Sequence, residues 1–194
     1  MRIVGGRLSG RRFGAPSGTG TRPTSDRVRE ALGSALQSRN AFDGAHVLEL
    51  FAGTGALSFE ALSRGAANAV LVDHDPRAIQ EIKKSAQTLG LEDQAQTLKI
   101  DLGGNPATVV DKISAPPKGF DLVFVDAPYA EIESVPPLLD AFVGARKLAL
   151  RAWIVVEHPV SHRWVWTRGL ASDADYRYGQ TGISLGVYEA KGTQ

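Results

Sequence analysis

The sequence predicts an α/β fold: a mostly parallel, doubly wound sheet with an antiparallel strand hairpin at its C-terminal edge and a small hairpin extension at its N-terminus. Three observations support this. Apolar strand-like runs alternate with helix-period segments between residues 46 and 157, a glycine-bearing turn joins the first such strand to its helix, and the chain beyond residue 157 changes to strands only. An antiparallel edge pair accounts for that change.

Taken in order, residues 1–23 read as a basic arm and residues 24–194 as the main domain. Ile3-Val4, Gly5-Gly6 and Arg7-Leu8 predict a small hairpin, with an open loop over 10–20. Two strands alone are barely stable, so the arm is expected to pack on the main domain and to turn Arg7, Arg11 and Arg12 outward. A helix begins at Thr24, with Thr24 or Ser25 as cap and Asp26 in its first turn. Val28, Ala31, Leu32, Ala35 and Leu36 form its apolar stripe, which leaves Arg27, Arg29 and Glu30 outside it.

Val47, Leu48 and Leu50 then read as a buried strand, and Leu57, Ala61 and Leu62 repeat at helical spacing up to Gly65. Gly53 and Gly55 lie where the strand turns into the helix, and without Cβ they let a ligand approach the backbone. Ser58 takes the place of the third glycine of a dinucleotide fingerprint. Residues 69–73 form a second strand closed by Asp73, and Asp75-Pro76 starts a helix that Gly90 ends. A third strand over 96–100 precedes Asp101, a short helix covers 107–113, and a fourth strand runs over 120–126. A polar loop with Glu131, Glu133 and Pro136-Pro137 leads to a helix reaching about Leu150, and a fifth strand covers 152–157. Strand-like pieces near Trp164 and Tyr176 and a longer one over 183–188 complete the chain.

In a doubly wound sheet, ligands bind beyond the carboxyl ends of the strands. Glu49, Gly53, Asp73, Asp101 and Asp126 all fall there. Asp75 has a sufficient task as a helix cap, so Asp73, about twenty residues past the glycines, is the candidate for ribose hydroxyls. Asp126-Ala127-Pro128-Tyr129 sets a carboxylate, a constrained carbonyl and an aromatic ring just after a strand. Those parts suit an exocyclic amine, whose lone pair is delocalised into its ring. Hydrogen bonds to the Asp126 carboxylate and the Ala127 carbonyl would draw the nitrogen toward tetrahedral geometry, and Tyr129 would stack on the extruded base.

Composition narrows the partners. The chain of 194 residues has no cysteine, which removes disulfides and thiolate chemistry, and its four histidines show no metal-ligand spacing. No run is long and apolar enough to span a bilayer, and the absence of cysteine fits a reducing cytosol; a cytoplasmic, metal-free monomer is the expectation. The net charge of +1 hides an asymmetry: residues 1–40 hold eight arginines against Asp26 and Glu30, a balance of +6, and the remainder carries −5. Such a block meets phosphates, which makes Arg7, Arg11, Arg12, Arg22 and Arg27 the candidate RNA-binding residues. An organelle transit peptide is disfavoured by the glycines and prolines between residues 5 and 23.

The runs RPTSDRVREAL (22–32), ELFAGTGALSFEALSRGA (49–66), LVDHD (71–75) and VFVDAPY (123–129), in this order and spacing, resemble the RsmD family of 16S rRNA guanine-N2 methyltransferases. The resemblance implies a Rossmann-like class I methyltransferase fold, S-adenosyl-L-methionine as methyl donor, and a guanine N2 amine of 16S rRNA in the 30S subunit as target. By position, it implies Thr24, Glu49, Phe51, Ala52, Gly53, Gly55, Asp73, His74, Asp101 and Leu102 at the donor, and residues 126–129 at the target base. Within that set, Glu49 to Gly55 would hold the methionine portion, Asp73 the ribose and Asp101 the adenine amine. Ala127 departs from the family's two-proline motif; Pro128 still biases it toward extended geometry, so the loss is chiefly stiffness. A DNA adenine-N6 methyltransferase shares this chemistry but calls for a larger recognition region. A non-catalytic RNA-binding or ribosome-assembly module could keep the fold without the reaction. A nicotinamide dehydrogenase is disfavoured by the missing glycine.

Overall fold

The computed structural model describes residues 1–14 and 26–189. One seven-stranded sheet organises them, built from β1 (His46–Leu50), β2 (Asn68–Asp73), β3 (Ala95–Lys99), β4 (Phe120–Val125), β5 (Leu148–Pro159), β6 (Leu170–Tyr178) and β7 (Thr181–Tyr188). Their order is β3-β2-β1-β4-β5-β7-β6, and β3 through β5 are parallel. The chain reverses direction across the sheet between β1 and β4, the switch point at which such sheets bind ligands. The expected antiparallel hairpin is β6 with β7, and β7 pairs directly with β5.

Five helices accompany the sheet among the described residues: α1 (Asp26–Gln37), α2 (Ala56–Ser63), α3 (Pro76–Leu89), α4 (Pro106–Asp111) and α5 (Val135–Gly144). Alternation along the strands sorts the core into two layers. Val47, Leu122, Phe124 and Val155 face the layer holding α1, α2 and α3, whereas Leu48, Leu50, Val123, Val125, Ile154 and Val156 face α4 and α5. Asp75 caps α3 by accepting from the Arg77 N–H at 2.8 Å with Pro76 at the first helical position, and Gly90 ends the helix in the left-handed region at φ 69°.

Several expectations are corrected. The N-terminal arm is not a two-residue hairpin: Gly6–Leu8 form a 3-10 turn, and pairing occurs further out, at Arg2 with Arg12. Ile3, Leu8 and Phe13 are buried in the same core layer as α2. Side chains of α2 bind the arm's backbone: Glu60 accepts from the Val4 N–H at 2.9 Å, and Ser63 Oγ accepts from the Leu8 N–H at 2.9 Å. This explains why every residue of α2 is buried, its polar ones included. Arg7, Arg11 and Arg12 are exposed as expected, but the first two are also anchored. Arg7 donates to Gln94 Oε1 at 2.9 Å, and Arg11 donates to the Thr88 and Leu89 carbonyls at the end of α3. Arg29, placed outside the stripe of α1, is buried and donates to the Arg2 carbonyl and to Asp26.

The fifth helix stops at Gly144 because Arg146, at φ 54°, turns the chain, so residues 148–150 begin β5 instead of ending a helix. Pro136 and Pro137 lie inside the first turn of α5, where their missing N–H groups cost nothing, and Tyr129–Ser134 form a 3-10 turn where a loop was expected. Trp164 lies outside any strand, packed against the layer containing α5. The predicted cap at Thr24 or Ser25, the loop beyond residue 14 and Arg22 lie outside the described residues.

Candidate active site

The turn after β1 carries three left-handed residues at alternate positions: Phe51 at φ 60°, Gly53 at φ 53° and Gly55 at φ 72°. For a phenylalanine this is a strained conformation of the kind held at functional sites. The two glycines do different work. A Cβ on Gly55 would press on Leu71 Cδ2 at 2.7 Å and Phe59 Cε2 at 3.0 Å, so that glycine serves packing between α2 and the sheet. A Cβ on Gly53 would meet only the Phe51 carbonyl at 4.0 Å, which leaves its backbone open to a ligand.

Asp73 ties this turn to β2. Its Oδ2 accepts from the Gly53 N–H at 2.8 Å and its Oδ1 from the Asp75 N–H at 2.8 Å, although the residue is buried. Each oxygen keeps a second lone pair for a ligand hydroxyl. His74 stands beside it with Nδ1 3.6 Å from Asp73 Oδ1. Asp101 is exposed beyond β3, where its carboxylate accepts from the Gly103 N–H at 3.0 Å, and Leu102 is buried next to it. Thus Glu49, Phe51, Ala52, Gly53, Gly55, Asp73, His74, Asp101 and Leu102 lie along the carboxyl ends of β1, β2 and β3 in that order. Thr24 lies outside the described residues.

Beside them, at the end of β4, come Asp126, buried Ala127, exposed Pro128 and Tyr129, which is 47% exposed. The Tyr129 hydroxyl lies 3.3 Å from Thr181 Oγ1, so the side chain reaches across the end of β5 to the start of β7. The electrostatics of this corner are unusual. Glu49 is buried, with Oε2 accepting from the Ser58 N–H at 2.9 Å, and burial pushes its carboxyl up to about 7 in spite of that bond. Asp126 is also shifted well above the ordinary carboxylate range, first by burial and then by the charges of Glu157 and Glu49. Carboxyls crowded together in this way favour a positively charged ligand beside them. Glu157, beside Asp126 on β5, belongs to this corner; the sequence ends the fifth strand there, but β5 runs on to Pro159, so Glu157 holds no strand-terminal position that could have marked it.

The candidate arginines are placed elsewhere. Arg7 and Arg11 are anchored at the far end of α3, whose 14 residues at about 1.5 Å each separate them from the crevice by about 20 Å. Arg7, Arg11, Arg12 and Arg27 are all exposed, and Arg22 lies outside the described residues. Two surface cavities, one lined by Val143, Gly169 and Tyr188 and one by Asp43, Asp121 and Arg151, lie toward the amino ends of the parallel strands, away from this chemistry. Among the described residues, no group of three or more His, Asp or Glu side chains could hold a metal ion, and no helix is long and apolar enough to cross a membrane.

The sheet order and the open glycine turn at its switch point are those of the class I, S-adenosylmethionine-dependent methyltransferases, the class of this fold. Within that class the chain belongs to the RsmD family: the model for conserved hypothetical protein 95 matches residues 1–187. It is 35% identical over 193 residues to Bacillus subtilis YlbH, covering 99% of this chain and 100% of that protein. It is 37% identical over 129 residues to Escherichia coli ribosomal RNA small subunit methyltransferase D, covering 66% of this chain and 60% of that one. Among solved structures, Escherichia coli YhhF superposes with a TM-score of 0.82 at 29% identity, covering 98% of this chain and 99% of the other. An RNA methyltransferase from Salinibacter ruber, solved with S-adenosyl-L-homocysteine, shares the fold at a TM-score of 0.62 and 16% identity, covering 89% of this chain and 97% of the other.

Proposed function

We propose that this protein transfers a methyl group from S-adenosyl-L-methionine to the exocyclic N2 amine of a guanine in 16S rRNA, within the assembled or assembling 30S subunit. The observation that carries the reading is the placement of Asp126 and Tyr129 at the end of β4, one strand from the open Gly53 turn. The name of the Escherichia coli relative, a methyltransferase of small-subunit ribosomal RNA, supports the substrate.

The residues fit the donor. Gly53 gives room at its backbone, Asp73 offers acceptors for hydroxyls, and the carboxyls of Glu49 and Asp126 complement a ligand bearing positive charge. Exposed Asp101 is the acceptor available for an adenine amine. When bound, the donor supplies an electrophilic methyl group. Asp126 and the Ala127 carbonyl accept hydrogen bonds from the target amine, hold its lone pair toward the donor side and stabilise the positive charge that grows on nitrogen. Tyr129 stacks on the base and keeps it out of its helix or loop. The amine proton then passes from N2 to an Asp126 carboxylate oxygen or to water. Arg7, Arg11, Arg12 and Arg22 of the arm, with Arg27 on α1, are proposed to meet rRNA phosphates, in a cytoplasmic monomer.

Incubation with tritiated donor and, separately, 30S subunits, free 16S rRNA and duplex DNA tests the reading. Label entering RNA in wild type and falling about 10²-fold in Asp126→Asn supports it; label entering DNA instead points to an adenine-N6 enzyme, and none in either to a non-catalytic module.

A further inference from the structure

The proposed reaction leaves one charged group of the crevice without a task. Val125 of β4 and Val156 of β5 form the last pair of their parallel ladder, so Asp126 and Glu157 follow side by side where β4 ends and β5 runs on to Pro159. Alternation places both on the sheet face of Phe124 and Val155, and Glu49 lies on that face too, opposite Phe124. Neither Asp126 nor Glu157 is fully buried. Across from Glu157, on β7, is Ile183, and two residues before it Thr181 receives the tip of Tyr129. The tip of the ring that would carry the base therefore reaches the β5–β7 ladder two positions along from Glu157.

Guanine presents two adjacent donors on its Watson–Crick edge, the N2 amine and the N1–H. Adenine presents an amine next to an unprotonated N1, which is an acceptor. An ionised carboxylate can only accept, so a second carboxylate beside Asp126 matches the guanine edge and repels the adenine edge. We propose that Glu157 accepts the N1–H of the target guanine and is the residue by which this site distinguishes guanine from bases with an unprotonated N1. The inference rests on the guanine-N2 reading above and adds the group that enforces it. It also separates roles within the corner: Asp126 acts on the reacting nitrogen, whereas Glu157 reads the neighbouring one.

2-Aminopurine tests this, because it keeps the N2 amine and lacks the N1–H. Once the methylated nucleotide is mapped, 30S subunits are reconstituted with 16S rRNA carrying guanine or 2-aminopurine at that position, and kcat/KM is measured for wild type and Glu157→Gln. Wild type should favour guanine by roughly 10²-fold or more, the pattern of a site built around a hydrogen-bonded N–H. Glu157→Gln should narrow that preference by about tenfold or more, since the amide can turn its N–H toward an unprotonated N1. A purely structural role would lower both rates together and leave the ratio unchanged. Comparable wild-type rates on the two bases would overturn the proposal without need of any variant, and so would an unchanged ratio in a folded Glu157→Gln. If guanine substrate yields no N2-methylguanosine at all, the functional reading itself falls; if it does but the preference is absent, only the role of Glu157 falls.

Discussion

Replacing Glu49 by glutamine should stabilise the protein at pH 8 relative to its effect at pH 4. The Glu49 carboxyl moves from an ordinary 4.5 to about 7, with burial as the leading cause. Between those values the folded chain holds a proton that the unfolded chain has released, so stability falls as pH rises from about 4.5 to about 7 and is level above. At 1.36 kcal/mol per pH unit the loss is about 3 kcal/mol, with no discount for solvent because the side chain is buried. Glutamine cannot ionise, and its carbonyl can still accept from the Ser58 N–H. An imperfectly satisfied amide would cost about 1–2 kcal/mol, but equally at every pH. The difference between the two pH values therefore isolates the ionisation: the variant should gain about 3 kcal/mol relative to wild type, or roughly 6–12 °C in relative Tm for a chain of this size. Melting curves of both proteins across pH 4 to 8, without donor, measure it. A Tm difference that stays constant over that range would refute the buried, proton-holding Glu49.

The same carboxyl should make donor binding pH-dependent: if a cationic donor needs Glu49 ionised, affinity measured calorimetrically should weaken up to about tenfold per unit as pH falls below about 7, and a flat profile would separate Glu49 from the donor. Asp73→Ala should weaken donor binding by roughly 1.5–3 kcal/mol and loosen the Gly53 turn, whereas Asp75→Ala should lower Tm through its lost cap with little effect on affinity; the reverse pattern in titration and melting would exchange their roles. Arg11→Ala should cost about 1–1.5 kcal/mol of stability, because it uncovers the Thr88 and Leu89 carbonyls. Arg12→Ala with Arg27→Ala should instead leave Tm unchanged and lower the salt dependence of RNA binding by about 0.7–0.9 for each phosphate no longer neutralised, and an unaltered slope would remove them from the RNA surface.

Periodicity makes most of the fold legible. The strand-helix alternation over 46–157 and the Asp75-Pro76 and Gly90 boundaries of α3 can be read directly because each rests on local chemistry. What escapes depends on residues distant in sequence. The arm reads as a basic hairpin resting on the main domain, but nothing local reveals that Glu60 and Ser63, 55 and more residues away, bind its backbone. The charge of Arg29 argues for the surface, yet it stands at the spacing of Leu32, Gly33 and Leu36 and is buried with them. The helix predicted to run to Leu150 ends early because Arg146 adopts a left-handed turn that its residue type does not announce. At the site, strand ends locate Glu49, Asp73, Asp101 and Asp126, but the clustering of Glu49, Asp126 and Glu157 depends on the pairing of β1, β4 and β5 and emerges only in the folded sheet.

The most direct measurement of the central claim is the chemical identity of the product. After reaction of 30S subunits from a strain lacking this activity with methyl-labelled donor, the 16S rRNA is digested to nucleosides and analysed by mass spectrometry. The site built from Asp126, Ala127 and Tyr129 predicts label in N2-methylguanosine at a single position, lost in Asp126→Asn. Label in N6-methyladenosine, on a ring carbon or on a ribose hydroxyl would contradict it.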